Sequence, residues 1–223
     1  LGIPYSGSRV SACALAMDKW RSKLIFEGCD VPTPKFSLVQ TAEELVMAMD
    51  DLGLPLVVKP SREGSTIGIT KVTQRQDAKA AFDLARKFDA TVIAEQFIEG
   101  DELTVAVLNG EPLPVVRIVA QNNNYDYQAK YHSEETRYFC PSGLDSNIDR
   151  NIQNVAMRAF EALGCSGWGR VDVMRDQAGG PWVLEVNTVP GMTGHSLVPM
   201  AALESGLTFE QLVLEILRGC DVA

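Results

Sequence analysis

Residues 167–174, GWGRVDVM, and 182–193, WVLEVNTVPGMT, are two short apolar runs flanking the turn-forming QAGG at 177–180. Such a pattern reads as a β-hairpin. Side chains alternate along a strand, so Arg170 and Asp172 share one face while Val171 and Val173 share the other. In the second run Val183, Glu185 and Asn187 take one face, with Trp182, Leu184 and Val186 opposite. A two-residue turn at Ala178-Gly179 sets Asp172 across from Glu185, and one at Gly179-Gly180 sets it across from Asn187. Either register gathers three oxygen-bearing side chains on one face; a three-residue loop breaks that parity. Adjacent carboxylates repel unless a positive charge lies between them. All-oxygen ligands suit a hard cation, Mg²⁺ above all where phosphates complete its shell. A solvated hairpin face is the plainer reading. Against it stands TVPGMTGHS at 188–196, a Pro/Gly loop rich in hydroxyls and N–H groups, an odd way to end a plain hairpin.

Upstream, residues 12–27 carry a helical apolar period stopped by Gly28, and a strand follows around 36–39. Thr41 with Glu44 forms a capping box that opens a helix ending near Gly53. LPLVVK is a short strand, SREGSTIG a Gly/Ser loop and ITKV a second strand; residues 77–88 read as a helix with Ala81, Leu84, Ala85 and Phe88 on one side. From about residue 91 strands dominate, and Asn109-Gly110 between ELTVAVL and PLPVVRIV signals a hairpin. A polar loop from Gln121 to Ser142 precedes a helix over 147–163, with Gly164 as its C′ residue. Two helices close the chain, the last opened by Thr208 and Gln211 as a capping box. The fold class is α/β (α+β), with residues 1–94 expected as one unit and 95–223 as another.

The 223 residues, 46% hydrophobic and 22% charged, suffice for a substantial core. A net charge of −9 argues against a nucleic-acid backbone as partner but leaves room for a small phosphate ligand. Five cysteines in no C-x-x-C pair point to neither a disulfide framework nor zinc, and no apolar run reaches the length of a membrane span.

Two further stretches carry chemistry. KPSREGSTIG at 59–68 ends a strand in Lys59 and continues into a flexible loop with Gly64, Ser65 and Thr66. It is no Walker A motif, since the Lys precedes the glycines, but a strand–loop–strand flap over phosphates has similar physics. EQFIEGDELTV at 95–105 supplies Glu95, Glu99 and Glu102 around a turn, acceptors suited to an adenine amino edge and ribose hydroxyls. Taken singly, a plain hairpin turn and ordinary surface acid account for both.

Together AMDKWRSK, VKPSREGSTIG, YDYQAKYHSEET, GWGRVDVM and EVNTVPGMTGHSLVP resemble the ATP-grasp family, and within it the D-alanine–D-alanine ligases, over essentially the whole chain. The resemblance implies an ATP-grasp fold, two α/β subdomains gripping ATP between them. It implies that Lys19 and Lys59 contact ATP phosphates beneath the flap containing Ser65 and Thr66. Glu95 would accept from the adenine amino group, the Gln96–Ile98 backbone would read the ring edge, and Glu102 would hold the ribose. Asp172, Glu185 and Asn187 would bind two Mg²⁺ ions, with Mn²⁺ as a substitute. Lys130 would reach the γ-phosphate, and Tyr131 would bond to Ser65 and shut the site. Arg170 and the Gly191 N–H would stabilise the tetrahedral intermediate, while Ser196 and the Leu197 N–H would hold the second D-alanine's carboxylate.

The implied activity is cytoplasmic, usually homodimeric synthesis of a peptidoglycan precursor through an acyl phosphate, without nucleic-acid or membrane partners. The family's first domain, with the Glu that grips the first D-alanine, is expected to precede Leu1, and this chain alone is expected to be inactive. D-Alanine–D-lactate and D-alanine–D-serine ligases are the near rivals; Tyr131, where the lactate type carries His, favours D-alanine, though His132 is adjacent. A non-catalytic ATP-binding module is the rival of another class.

Overall fold

The computed structural model describes residues 2–119 and 136–220. The expected first helix is two: α1 (Val10–Met17) and α2 (Lys19–Gly28). Asp18 breaks the apolar period because its backbone is extended and its side chain accepts from the Arg21 N–H, capping α2. Strand β1 (Phe36–Val39) leads to α3 (Ala42–Leu52), entered as expected at Thr41, which accepts from the Glu44 N–H. Glu44 reaches back to the Gln40 N–H rather than to Thr41, so the box is displaced by one residue.

Strands β2 (Leu56–Pro60), β3 (Thr70–Val72) and β4 (Val92–Gln96) join β1 in an antiparallel sheet of order β1-β4-β2-β3. Helices α3 and α4 (Ala78–Arg86) cover one face, where Leu45, Met49, Phe82 and Ala85 pack on Leu56, Val58, Val92 and Ala94. The buried side of α4 is Ala78, Ala81, Phe82 and Ala85, so Leu84 and Phe88 are exposed, contrary to the sequence reading. Both sides of this short helix carry apolar residues at helical spacing, and the sheet selects the narrower one.

The chain crosses to a second antiparallel sheet between Gln96 and Gly100. Its path is β10 (Pro181–Asn187), β9 (Trp168–Asp176), β5 (Gly100–Leu108), β7 (Val116–Val119) and β8 (Arg137–Phe139), with β6 (Glu111–Pro112) paired to β5. Asn109 and Gly110, both at positive φ, make the two-residue β5–β6 turn. β6 and β7 are separate around Pro114, and β8 lies within what the sequence presents as loop. One face packs on α5 (Ser146–Ala162) through Leu103, Val105, Val171, Val173 and Val183. Ala16 of α1 and Phe26 of α2 join this core, so both helices belong with the later sheet. The other face is covered at one end by α6 (Leu197–Glu204) and α7 (Phe209–Arg218), a pair bent by 101°. Among the described residues no single helix is long and apolar enough to cross a membrane.

The β9–β10 hairpin departs from both registers considered above. Asp176 and Gly180 close a three-residue loop, with the Asp176 N–H donating to the Gly180 carbonyl. Trp182 therefore pairs with Met174 and Val183 with Val173. The register then shifts at a bulge between Val183 and Glu185, after which Glu185 faces Asp172 and Asn187 faces Arg170. Val183 consequently lies in the core with Val186, not beside Glu185. The odd loop and the bulge each reverse parity, and together they restore the shared polar face.

Candidate active site

Alternation in β2 and β4 turns Lys59 and Glu95 away from α3 and α4, onto the open face of the first sheet. There the Lys59 ammonium donates to Glu95 Oε1 at 2.9 Å. Lys23, one turn beyond Lys19 on α2, pairs with Glu95 Oε2 and donates to Thr33 Oγ1 at 2.5 Å. All three charged side chains are nearly excluded from solvent. Burial alone raises the Glu95 carboxyl pKa, but Lys23 and Lys59 more than offset it and hold it below the ordinary range. Burial dominates at Lys23, lowering its ammonium to about 8 despite Glu95.

The uncovered part of the second sheet carries a polar row. Glu185, Asp172 and Thr104 stand side by side on β10, β9 and β5, and Asn187, Arg170 and Ala106 form the next row. Arg170 grips Asp172 with two hydrogen bonds of 2.8 Å, and Thr104 donates to the same carboxylate at 2.7 Å. Asn187 Nδ2 lies 3.1 Å from Asp172 and 3.4 Å from Glu185, so the three expected metal ligands converge. Among the described residues no cluster of three His, Cys, Asp or Glu side chains forms a metal site. The set here is two carboxylates and an amide, and turning that amide over presents its oxygen. Such a donor set fits Mg²⁺.

Lys19 joins the two sheets' polar faces. Its ammonium lies 3.1 Å from Glu185 and donates at 2.6 Å to the Glu63 carbonyl of the flap. Burial raises the Glu185 carboxyl pKa, and Lys19 and Lys59 overcome both that and Asp172, leaving it low. The start of α2 is pinned by Ser61, which donates to Asp18 and accepts from the Trp20 N–H.

In the flap, Ser65 and Thr66 have φ of 54° and 64°. A β-branched residue there is strained, as occurs where a backbone is shaped for a ligand. Arg62 and Asp89 brace the flap's base. At the hinge the Gln96 N–H donates to Lys35 and the Phe97 N–H to Pro55, so of the expected adenine-reading stretch the Ile98 N–H stands outside these bonds. Glu102 follows one pair beyond Thr104 on the same face of β5, opposite Met174.

Gly191 sits where a Cβ would lie 3.0 Å from Ser196 Oγ. That hydroxyl accepts from the Thr193 N–H and does not cap α6, so the first N–H groups of α6, Leu197 included, lack a side-chain cap. Lys130 and Tyr131 lie outside the described residues. Lys23 and Thr104 escaped the sequence reading. Helical spacing from Lys19 signals the first, and a lone hydroxyl on the Glu102 face of β5 signals the second.

The family model described as "D-ala D-ala ligase C-terminus" matches residues 25–218. The D-alanine–D-alanine ligase of Nitrosospira multiformis is 54% identical over 217 residues, 97% of this chain and 71% of that protein. The Bordetella pertussis ligase of the same name is 52% identical, over 97% of this chain and 70% of its own length. Among solved structures, VanG D-Ala:D-Ser ligase from Enterococcus faecalis superposes with a TM-score of 0.87 at 34% identity. The match covers 97% of this chain and 65% of VanG, just under two thirds of its length. The Bacillus anthracis D-alanine–D-alanine ligase complexed with ATP gives 0.84 at 32% identity, over 97% of this chain and 70% of that one.

Proposed function

We propose, from the premise that this chain belongs to the D-alanine–D-alanine ligase family with its ATP-grasp fold, the following division of labour in the ATP-dependent joining of two D-alanine molecules for peptidoglycan synthesis. The observation that carries it is the convergence of Lys19, Glu185, Asp172, Asn187 and Arg170 at the meeting of the two sheets.

ATP lies between an earlier unit, expected over 1–94, and a later one over 95–223, with α1 and α2 packed on the later unit's core. Lys19 and Lys59 neutralise its phosphates, and Ser65 and Thr66 cover them with backbone N–H groups. Glu95 accepts from the adenine amino group through a lone pair its lysines leave, the Ile98 N–H reads the ring, and Glu102 holds the ribose. Asp172, Glu185 and Asn187 would hold two Mg²⁺ ions, which would supply charge neutralisation for phosphoryl transfer. The family resemblance assigns Lys130 to the γ-phosphate and Tyr131 to a bond with Ser65. Arg170, aimed by Asp172, and the Gly191 N–H receive the oxyanion of the tetrahedral intermediate. Ser196 and the Leu197 N–H hold the second substrate's carboxylate, where the start of α6 favours an anion. The enzyme is a cytoplasmic homodimer.

The likeness to VanG makes D-serine the rival second substrate, with Tyr131 favouring D-alanine over D-lactate. Phosphate release from ATP, measured with D-alanine, D-serine or D-lactate on the polypeptide including any natural upstream sequence, tests the assignment. D-Alanine-dependent release is expected; ATP binding without such dependence favours the non-catalytic module.

A further inference from the structure

We propose that Lys23 is a positioning residue of the nucleotide site, cancelling the Glu95 charge from within the core and so leaving the Lys59 charge uncompensated toward the nucleotide phosphates. The inference rests on the nucleotide site proposed above. Three buried side chains share two positive charges and one negative: Lys23 and Lys59 flank Glu95, each against a different oxygen. With Lys23 charged the cluster carries one net positive charge, and Lys59 is its member on the strand that runs into the flap. With Lys23 neutral, Lys59 and Glu95 form a closed pair with no net charge for a phosphate.

Lys23 is anchored for this task. Its ammonium donates to Thr33 Oγ1, which donates in turn to the Val183 carbonyl at 2.8 Å, and lies 5.4 Å from the Phe36 ring centre. The charged groups that act on it are Glu95 on β4, Lys59 on β2 and Glu27 one turn along α2. Lys19, one turn before Lys23 on the same helix, lies 3.1 Å from Glu185, one of the expected metal ligands, so the cluster adjoins the phosphate site. A buried ammonium is a poor stabilising device, since an apolar side chain of similar volume commonly serves a core as well or better. Its burial lowers its pKa to about 8. The unfolded chain binds this proton more tightly, so its burial costs stability at neutral pH, a cost relieved as pH rises through the folded value.

The test is calorimetric titration of wild-type and Lys23→Met protein with Mg²⁺ and AMP-PNP, and separately with adenosine, at about pH 7 and about pH 9. At the lower pH the variant is expected to bind AMP-PNP about tenfold more weakly, adenosine within about twofold of wild type, with Tm not lowered. Wild-type protein should show the same phosphate-selective weakening as pH rises, and the variant should lose that dependence. Equal AMP-PNP binding by the two proteins, or equal losses for AMP-PNP and adenosine with a lowered Tm, overturns the proposal. If the variant does not fold, the wild-type titration decides: a ratio of AMP-PNP to adenosine affinity that does not fall with pH overturns it. Failure of wild-type protein to bind AMP-PNP overturns the nucleotide-site reading itself, whereas binding with no effect at Lys23 overturns this inference alone.

Discussion

Asp172 receives Arg170, Thr104 and Asn187 at once, so it orients the residues around it as well as carrying charge. Arg170 is held by both hydrogen bonds to that carboxylate, a fixed geometry suited to a developing oxyanion. Arg170→Met is expected to lower kcat by about 10²–10³-fold while nucleotide affinity changes little, since the interaction matters only in the transition state. Steady-state phosphate release beside a binding titration checks this; an equal loss in both measurements would place Arg170 in nucleotide binding instead. Thr66 at φ 64° offers a second test. Thr66→Gly should relieve about 1 kcal/mol of strain and raise Tm slightly, while the looser flap raises the KM for ATP. An unchanged KM would remove the flap from phosphate binding. At this scale the sequence displayed the residue types, but not that Lys23 and Lys59 share Glu95, because helical and strand periods do not say which elements will meet.

Among the elements, α2 and α7 both begin at a capped residue, and the two caps should differ in consequence. Thr208 forms a complete box with Gln211 and is no part of the polar rows on β10, β9 and β5, so Thr208→Ala should cost about 1 kcal/mol, a Tm drop of about 2–4 °C, with no change in ATP affinity. Asp18 caps α2, bonds to Ser61 and fixes the residue immediately before Lys19. Asp18→Ala should lower Tm by a similar or larger amount and also raise the KM for ATP several-fold. Thermal melts and ATP titrations of the pair distinguish the cases; if both variants affect ATP alike, the Asp18 cap does not aim Lys19. The β9–β10 hairpin was legible as an element and its polar face was read correctly, yet for an incomplete reason. Alternation predicted Val183 beside Glu185, whereas the bulge puts Val183 in the core. A bulge has no strong local signature, because it forms where two strands with fixed ends must satisfy both the core and the ladder.

Over the whole molecule, carboxylates tie the elements together. Asp18 and Ser61 join α2 to the end of β2, Asp89 braces Arg62, Glu95 joins α2 to the first sheet, and Glu185 joins the second sheet to Lys19. Burial opposes the charged form at all four, and ammonium, guanidinium or hydrogen-bond partners more than compensate, so each folded pKa lies below its ordinary value. The stability they provide is complete above the unfolded carboxylate range, about 4, and is lost as pH falls through the lower folded values. Melting temperature should therefore hold between about pH 7 and 5 and fall steeply below about 4. A Tm that is flat to about pH 3 would show that these links contribute little. Local pattern alone determined the α/β class, most elements, the hairpin turn at Asn109-Gly110 and the placement of Asp172, Glu185 and Asn187 on one hairpin, since all of these follow from periods, caps and turn residues. Only the tertiary structure decided that α1 and α2 pack on the later sheet, that Asp18 breaks the first helix and that three buried charges share one site. Those outcomes depend on contacts between residues distant along the chain, where competing faces and charges are resolved by what packs against them.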